Sequence, residues 1–89
     1  RKEILMVSGF TDDLPIQPGN NRFDDNWELS AQRALTVPRA LIEEGMNPAI
    51  VFAAAFGAQQ PVASNLEEEG RSRNRRVEMA PVSAPIENE

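Results

Sequence analysis

Residues 3–11 read EILMVSGFT, and this stretch decides which fold the chain is expected to adopt. Four consecutive apolar side chains followed by the small pair Ser8-Gly9 are typical of a buried strand. A buried strand must be covered by other elements of the same domain. The residues that follow should therefore supply helices and neighbouring strands.

A long amphipathic helix is predicted after this strand. Its apolar residues recur at spacings of three and four along the chain: Trp27, Ala31, Ala34, Leu35, Pro38, Leu41 and Ile42. Asp25 and Glu28 resemble a capping box at the helix start, and Gly45 supplies a stop at its end. Because Pro38 has no backbone N–H to donate, we expect a kink at that position.

The rest of the chain predicts two more strands and a short helix. Residues 49–56 are all apolar, and alternate residues of a strand point to opposite faces, so both faces of this strand are expected to be covered. A strand, a helix and a strand in this order favour a right-handed parallel crossover. Residues 67–74 indicate a short helix capped by Asn65, and a final strand begins near Val77. The expected fold class is α/β, an α+β sandwich with helices packed on a small sheet.

A chain of 89 residues has room for one domain only. We assign residues 1–80 to that domain. Residues 81–89 contain two prolines and two acids and are predicted to be a disordered tail. Residues 13–25, rich in Pro, Gly, Asn and Asp, are predicted to be a long loop between the first strand and the helix.

Composition excludes several classes of function. The net charge of −5 opposes binding driven by nucleic acid phosphates, so no nucleic acid partner is predicted. The absence of cysteine and histidine excludes disulfides, the usual zinc sites and Ser-His-Asp catalysis, and no metal site or cofactor is predicted. The longest apolar run, residues 49–56, is far shorter than the roughly 20 residues that span a bilayer. Because the chain does not begin with Met, we expect it to be part of a longer protein.

Asp12 and Arg33 are the candidate binding pair. Asp12 follows the first strand, and Arg33 lies about two turns into the following helix, which would pack back over that strand. A carboxylate and a guanidinium that do not fully neutralise each other form a receptor for a zwitterion, because the acid accepts an ammonium and the arginine binds a carboxylate. The alternative is a plain salt bridge that ties the helix to the strand.

Other charged residues have simpler interpretations. Arg71 and Arg73 are expected on the solvated end of the short helix, whereas Arg75 and Arg76 directly precede a strand and one of them could support the site. The acidic residues Asp13, Asp24 and Asp25 match no calcium loop, so solvation and helix capping are favoured for them.

Four motifs, in order along the chain, resemble the OmpA-like peptidoglycan-binding domain. They are SGFTDDLPI (8–16), NWELS (26–30) with RA (33–34), FG (56–57) with QPVASN (60–65), and EGR (69–71) with NRRVE (74–78). The first two motifs are most similar to the branch found in MotB-type flagellar stator proteins.

The resemblance implies a periplasmic module without enzymatic activity that holds the cell wall noncovalently. In the family, the aspartate of the Thr-Asp motif and the arginine of the Leu-Ser-x-x-Arg-Ala motif grip the zwitterionic end of diaminopimelate in the stem peptide, which corresponds to Asp12 and Arg33 here. Thr11, Asn74 and Arg76 complete the expected peptidoglycan-binding set. The implied partners are peptidoglycan, a membrane-embedded parent segment or stator partner, and a second copy in a homodimer.

The chain also departs from the family pattern. Members usually carry another strand and helix ahead of the segment that opens here at Lys2, and we expect the small mixed sheet of this chain to lack them. Phe10 stands where many members have His or Tyr, which predicts a drier pocket on that side.

Two other functions remain open at this point. One is a protein-interaction or dimerisation module whose arginine-rich final helix docks an acidic partner. The other is a wall hydrolase with paired carboxylates such as Asp12 and Asp13, which is disfavoured because adjacent strand residues point to opposite faces. The parent protein could be a stator, a porin-like protein or a lipoprotein.

Overall fold

The computed structural model describes residues 3–17, 19 and 22–83. The chain forms β1 (Glu3–Gly9), α1 (Asn26–Glu43), β2 (Val51–Ala55), α2 (Glu68–Asn74) and β3 (Val77–Ser83), with a short 3₁₀ helix at Pro48–Ile50. This order of strands and helices confirms the predicted one.

The three strands form one mixed sheet in the order β2-β1-β3. β1 pairs with β2 in parallel and with β3 antiparallel, so that Val7 lies opposite both Ala53 and Met79. The parallel pairing of the first two strands and the α+β class are therefore confirmed. β1 occupies the centre.

Helix α1 packs on β1 and β2, and Gly9 makes the approach possible. A Cβ atom at Gly9 would lie 2.0 Å from the carbonyl oxygen of Ser30, a distance at which backbone would have to shift. The helix buries Ser30, Ala34 and Pro38 along one stripe. This contact holds the first half of α1 over the carboxyl end of β1.

The ends of α1 follow the predicted signals. The Asp25 carboxylate accepts the Glu28 N–H at 2.9 Å, while the Glu28 carboxylate accepts the Asp24 N–H at 3.0 Å. At the other end Gly45 has φ +113°, and the N–H groups of Gly45 and Met46 donate to helix carbonyls in a Schellman arrangement. α1 continues through Pro38, and no break in the helix accompanies that residue.

Three details differ from the sequence-based expectation. β2 begins two residues later than expected and ends one residue earlier. Phe52 is 43% exposed, because α1 covers one face of the sheet and Phe52 lies on the other. The prediction that both faces of this strand are covered was wrong. Glu67 rather than Asn65 is the N-cap of α2, and it makes no side-chain capping bond.

The last strand, β3, is longer than expected. β3 continues to Ser83, so residues 81–83, assigned above to the tail, pair with the start of β1. The remaining part of the expected tail, residues 84–89, lies outside the described residues. Among the helices that the structure describes, none has the length and apolar character needed to cross a membrane.

Candidate ligand-binding site

The carboxyl end of β1 is the meeting point of three segments. The Phe10 N–H donates to the Arg76 carbonyl at 3.0 Å, and the Thr11 N–H donates to the Gly57 carbonyl at 2.8 Å. The Ser30 hydroxyl, fully buried in α1, accepts the Gly57 N–H at 2.9 Å. Asp12 therefore follows a backbone that is fixed by α1, by the turn after β2 and by the start of β3.

Asp12 is 7% exposed, and its carboxylate has two partners. Oδ1 accepts the Leu14 N–H at 3.1 Å, and Oδ2 pairs with the Arg75 guanidinium at 2.7 Å. The Asn26 amide donates to the carbonyls of Asp12 and Leu14, at 3.4 and 3.0 Å. The first residue of α1 thus helps to hold the loop that presents the carboxylate.

Arg33 lies half-buried on α1. Its guanidinium donates one hydrogen bond, to the Phe10 carbonyl at 3.0 Å. Within residues 3–17, 19 and 22–83, no carboxylate lies within ion-pairing distance of it. Burial lowers the pKa of Arg33, the charge of Asp12 raises it, and the charge of Arg75 lowers it further. Arg33 keeps hydrogen-bond donors for a ligand anion.

The salt bridge between Asp12 and Arg33, which was the alternative to a binding pair, does not form. The two residues are close enough for their charges to interact, yet Arg75 pairs with the Asp12 carboxylate and Arg33 bonds to the neutral Phe10 carbonyl. The structure therefore brings the two predicted residues to one end of the sheet without letting them neutralise each other. That arrangement is the one the zwitterion hypothesis requires.

Arg75, the C-cap of α2, joins Asp12 to Glu68 at the start of that helix. One terminal nitrogen of its guanidinium pairs with Asp12, and the other pairs with Glu68 Oε2. The hydrogen bond with Glu68 and then that with Asp12 raise the pKa of Arg75, and the hydrogen bond from Arg75 lowers the pKa of Glu68. Arg75 was not among the predicted site residues.

Asn74 is a structural residue in this geometry. It is 0% exposed, and its amide oxygen accepts the N–H groups of Val62 and Ala63 at 2.7 and 3.0 Å. Its amide nitrogen donates to the Ala63 carbonyl and to Asn65 at 2.9 and 2.8 Å. These four bonds use the full capacity of an amide, so the Asn74 side chain has nothing left to offer a ligand.

Thr11 also holds the backbone. Its hydroxyl donates to the Asp12 carbonyl at 2.7 Å, and the residue is 3% exposed. This geometry supports a role in shaping the loop before Asp12, and a direct ligand contact by Thr11 stays a prediction.

Arg76 contacts Phe10, and among the described residues its ion pair is with Glu78 and not with Asp12. Its guanidinium stacks over the Phe10 ring at 3.8 Å and bonds to Glu78 at 2.6 Å and to the Gln60 carbonyl at 2.9 Å. One sequence signal could have separated the two arginines. Residues two apart on a strand share a face, which pairs Arg76 with Glu78 and leaves Arg75 for Asp12.

A cavity of about 370 Å³ lies beside Arg76, on the sheet face opposite α1. Neither Asp12 nor Arg33 lines it. Its lining residues are Met6, Ser8, Phe10, Phe56, Gln60, Pro61, Val62, Arg76 and Glu78. Phe10 lies between the cavity and Arg33, because Phe10 lines the cavity while its carbonyl accepts a hydrogen bond from Arg33.

Comparison with known proteins points to one family. The model of the OmpA family matches residues 1–75. Motility protein B of Bacillus subtilis is 47% identical over 76 residues, which cover 84% of this chain and 28% of that protein. Peptidoglycan-binding protein ArfA of Mycobacterium tuberculosis is 37% identical over 75 residues, or 84% of this chain and 21% of that protein. The chain thus spans less than a third of the length of either relative.

Solved structures share the fold. The C-terminal domain of Helicobacter pylori MotB superposes with a TM-score of 0.83 and 35% identity, over 96% of this chain and 63% of that one. The cell wall anchor of the T6SS from Pseudomonas aeruginosa gives a TM-score of 0.80 and 37% identity, over 94% of this chain and 57% of that one.

Proposed function

The chain belongs to the OmpA family, and from that premise we propose that it binds peptidoglycan noncovalently and anchors a longer protein to the cell wall. A relative named for peptidoglycan binding and a structural neighbour described as a cell wall anchor support the proposal. So does the site at the end of β1, which is suited to hold a charged ligand without converting it.

The ligand we propose is the zwitterionic end of diaminopimelate in the stem peptide. Its ammonium would bond to Asp12 and its carboxylate to Arg33. One observation carries this assignment: Arg33 is half-buried beside Asp12 and has no acidic partner in the described part of the chain. A partly buried cation is costly to leave unpaired, and a ligand carboxylate would remove that cost.

The affinity should be moderate. Charge-assisted hydrogen bonds contribute about 1.5 to 3 kcal/mol each, and only two groups of the protein make them. We expect dissociation constants in the micromolar to millimolar range, equivalent to about −8 to −4 kcal/mol. Several copies engaging one polymer would strengthen attachment without any new contact.

We place this module in the periplasm as part of a motility-type protein. The support is its likeness to Motility protein B and to the MotB C-terminal domain. A membrane-embedded parent segment, a stator partner and a homodimer belong to the same proposal.

The alternatives have weaker support. In the interaction-module alternative, α2 offers arginines to an acidic partner, but Arg71 and Arg75 already pair with Glu68. In the hydrolase alternative, two facing carboxylates are needed, but Asp12 pairs with Arg75 and Asp25 caps α1. We therefore propose binding without catalysis.

Sedimentation with purified peptidoglycan sacculi tests the proposal. Asp12→Ala and Arg33→Ala should each reduce the bound fraction strongly, with about a tenfold or greater loss of affinity if one charge-assisted bond is removed. Matched controls are Asp13→Ala and Arg39→Ala, which remove the same charges from exposed positions. Equal retention of the wild type and the Asp12→Ala, Arg33→Ala double variant would refute peptidoglycan binding at this site.

A further inference from the structure

The Asp12 carboxylate is already paired with the Arg75 guanidinium, which also has a second carboxylate partner. Arg75 contacts Asp12 through one terminal nitrogen and Glu68 through the other. The guanidinium can therefore release one carboxylate and keep the other. Because the Asp12 side chain is only 11% exposed, a ligand ammonium that bonds to Asp12 would compete with Arg75 for the same carboxylate.

The two acidic partners of Arg75 differ in how far their side chains are exposed to solvent. The Asp12 side chain is 11% exposed, that of Arg75 is 32% exposed, and that of Glu68 is 62% exposed. Arg75 thus lies between a deep carboxylate and a surface carboxylate. A shift toward Glu68 would move the guanidinium outward, toward water, and would open the space beside Asp12.

The shift needs no rearrangement of the backbone. Glu68 begins α2 and Arg75 caps its end, seven residues later and about two helical turns along the same face. The Arg75 N–H donates to the Arg71 carbonyl, which fixes the base of the side chain. Only the side-chain torsions of Arg75 would change.

We propose that Arg75 is an internal competitor for the ammonium of the ligand, and that Glu68 is the acceptor that holds it when the ligand is bound. This inference rests on the proposed function and extends it, because it names two residues that set the affinity of the site. In the empty site Arg75 neutralises the buried Asp12 carboxylate. In the occupied site the ligand ammonium takes over that role, and Arg75 stays paired with Glu68.

The competition makes the affinity lower than two free groups would give. The apparent affinity of a ligand falls by the fraction of molecules whose site is open. Removing Arg75 should therefore tighten the binding of a zwitterion. This sign is unusual for a positively charged residue beside a site that binds a carboxylate, so it distinguishes a competitor from a direct ligand contact.

Titration calorimetry of the 89-residue chain with meso-diaminopimelic acid, and with pimelic acid, which lacks both ammonium groups, tests the inference. Arg75→Gln should bind diaminopimelic acid about tenfold more tightly than the wild type, while pimelic acid should gain nothing. Glu68→Gln should bind diaminopimelic acid severalfold more weakly, since Arg75 then has only Asp12 to pair with. In the double variant the effect of Glu68→Gln should vanish.

Controls come from the same helix. Arg73→Gln and Glu69→Gln change the same charges at exposed positions of α2 and should leave both affinities unchanged. Circular dichroism checks the fold of each variant. Because Glu68 is exposed, Glu68→Gln is expected to fold even if Arg75→Gln, which leaves Asp12 unpaired, does not.

The outcomes separate the two proposals. If Arg75→Gln weakens the binding of both acids, Arg75 contacts the ligand carboxylate and the competitor model is wrong. Unchanged or tighter binding by Glu68→Gln would also overturn it. If the wild type and Asp12→Ala bind diaminopimelic acid equally well, the proposed function fails, and the competitor model fails with it.

Discussion

Single residues at this site divide into those that present charge and those that hold the frame. Asp12 and Arg33 present charge, and both were predicted, because a helix that follows a parallel strand returns over the carboxyl end of that strand. Arg76 was predicted to contact the ligand and Arg75 was not; the structure pairs Arg75 with Asp12 and stacks Arg76 on Phe10, and a ligand contact by Arg76 stays a prediction. The spacing of Arg76 and Glu78 signals which arginine has a local partner, but the meeting of Arg75 with Asp12 follows from the pairing of β3 with β1, which is distant in sequence.

Asn74 provides a test of a residue that belongs to the frame. Asn74→Ala should leave the N–H groups of Val62 and Ala63 without their acceptor and lower the free energy of unfolding by about 2 to 4 kcal/mol. Chemical denaturation measures this change. The control Gln32→Ala, on the exposed side of α1, should shift stability by less than about 0.5 kcal/mol.

Binding separates the two roles of Asn74. The folded fraction of Asn74→Ala should retain the wild-type affinity for diaminopimelic acid, because the amide has no free hydrogen-bonding capacity. A variant that is as stable as the wild type but binds weakly would mean that Asn74 contacts the ligand after all.

At the scale of elements, local signals predicted the ends of α1 and failed for α2. Asp25 and Gly45 act within one turn of the helix, so their roles can be recognised from sequence alone. Asn65 was the expected cap of α2, but its side chain accepts from Asn74 instead. A tertiary hydrogen bond thus outweighed a local one. Similarly, the exposure of Phe52 depends on which face α1 covers, and strand periodicity cannot supply that choice.

The cap of α1 carries a prediction about an element. Asp25→Ala removes the acceptor of the Glu28 N–H and should cost about 1 kcal/mol of stability, within a range of about 0.5 to 2 kcal/mol. Thermal unfolding measures it, with Asp24→Ala as the matched control, since only the backbone of Asp24 takes part in the bond with Glu28. Equal losses for the two variants would show that the carboxylate of Asp25 is not the cap.

At the scale of the whole molecule, two helices and three strands build the site. α1 reaches β1 at Gly9, β3 brings α2 and Arg75 back to Asp12, and the turn after β2 joins them through Gly57. The central strand and the crossover could be predicted from apolar periodicity. The uncovered sheet face and the cavity beside Arg76 could not be predicted, because they depend on which face of the sheet the helices cover.

A crystal structure of the chain with meso-diaminopimelic acid tests the central claim most directly. We predict one ligand ammonium at about 2.7 to 3.2 Å from the Asp12 carboxylate and the adjoining carboxylate at similar distance from the Arg33 guanidinium. A ligand bound in the cavity beside Arg76, with Asp12 and Arg33 untouched, would contradict the account.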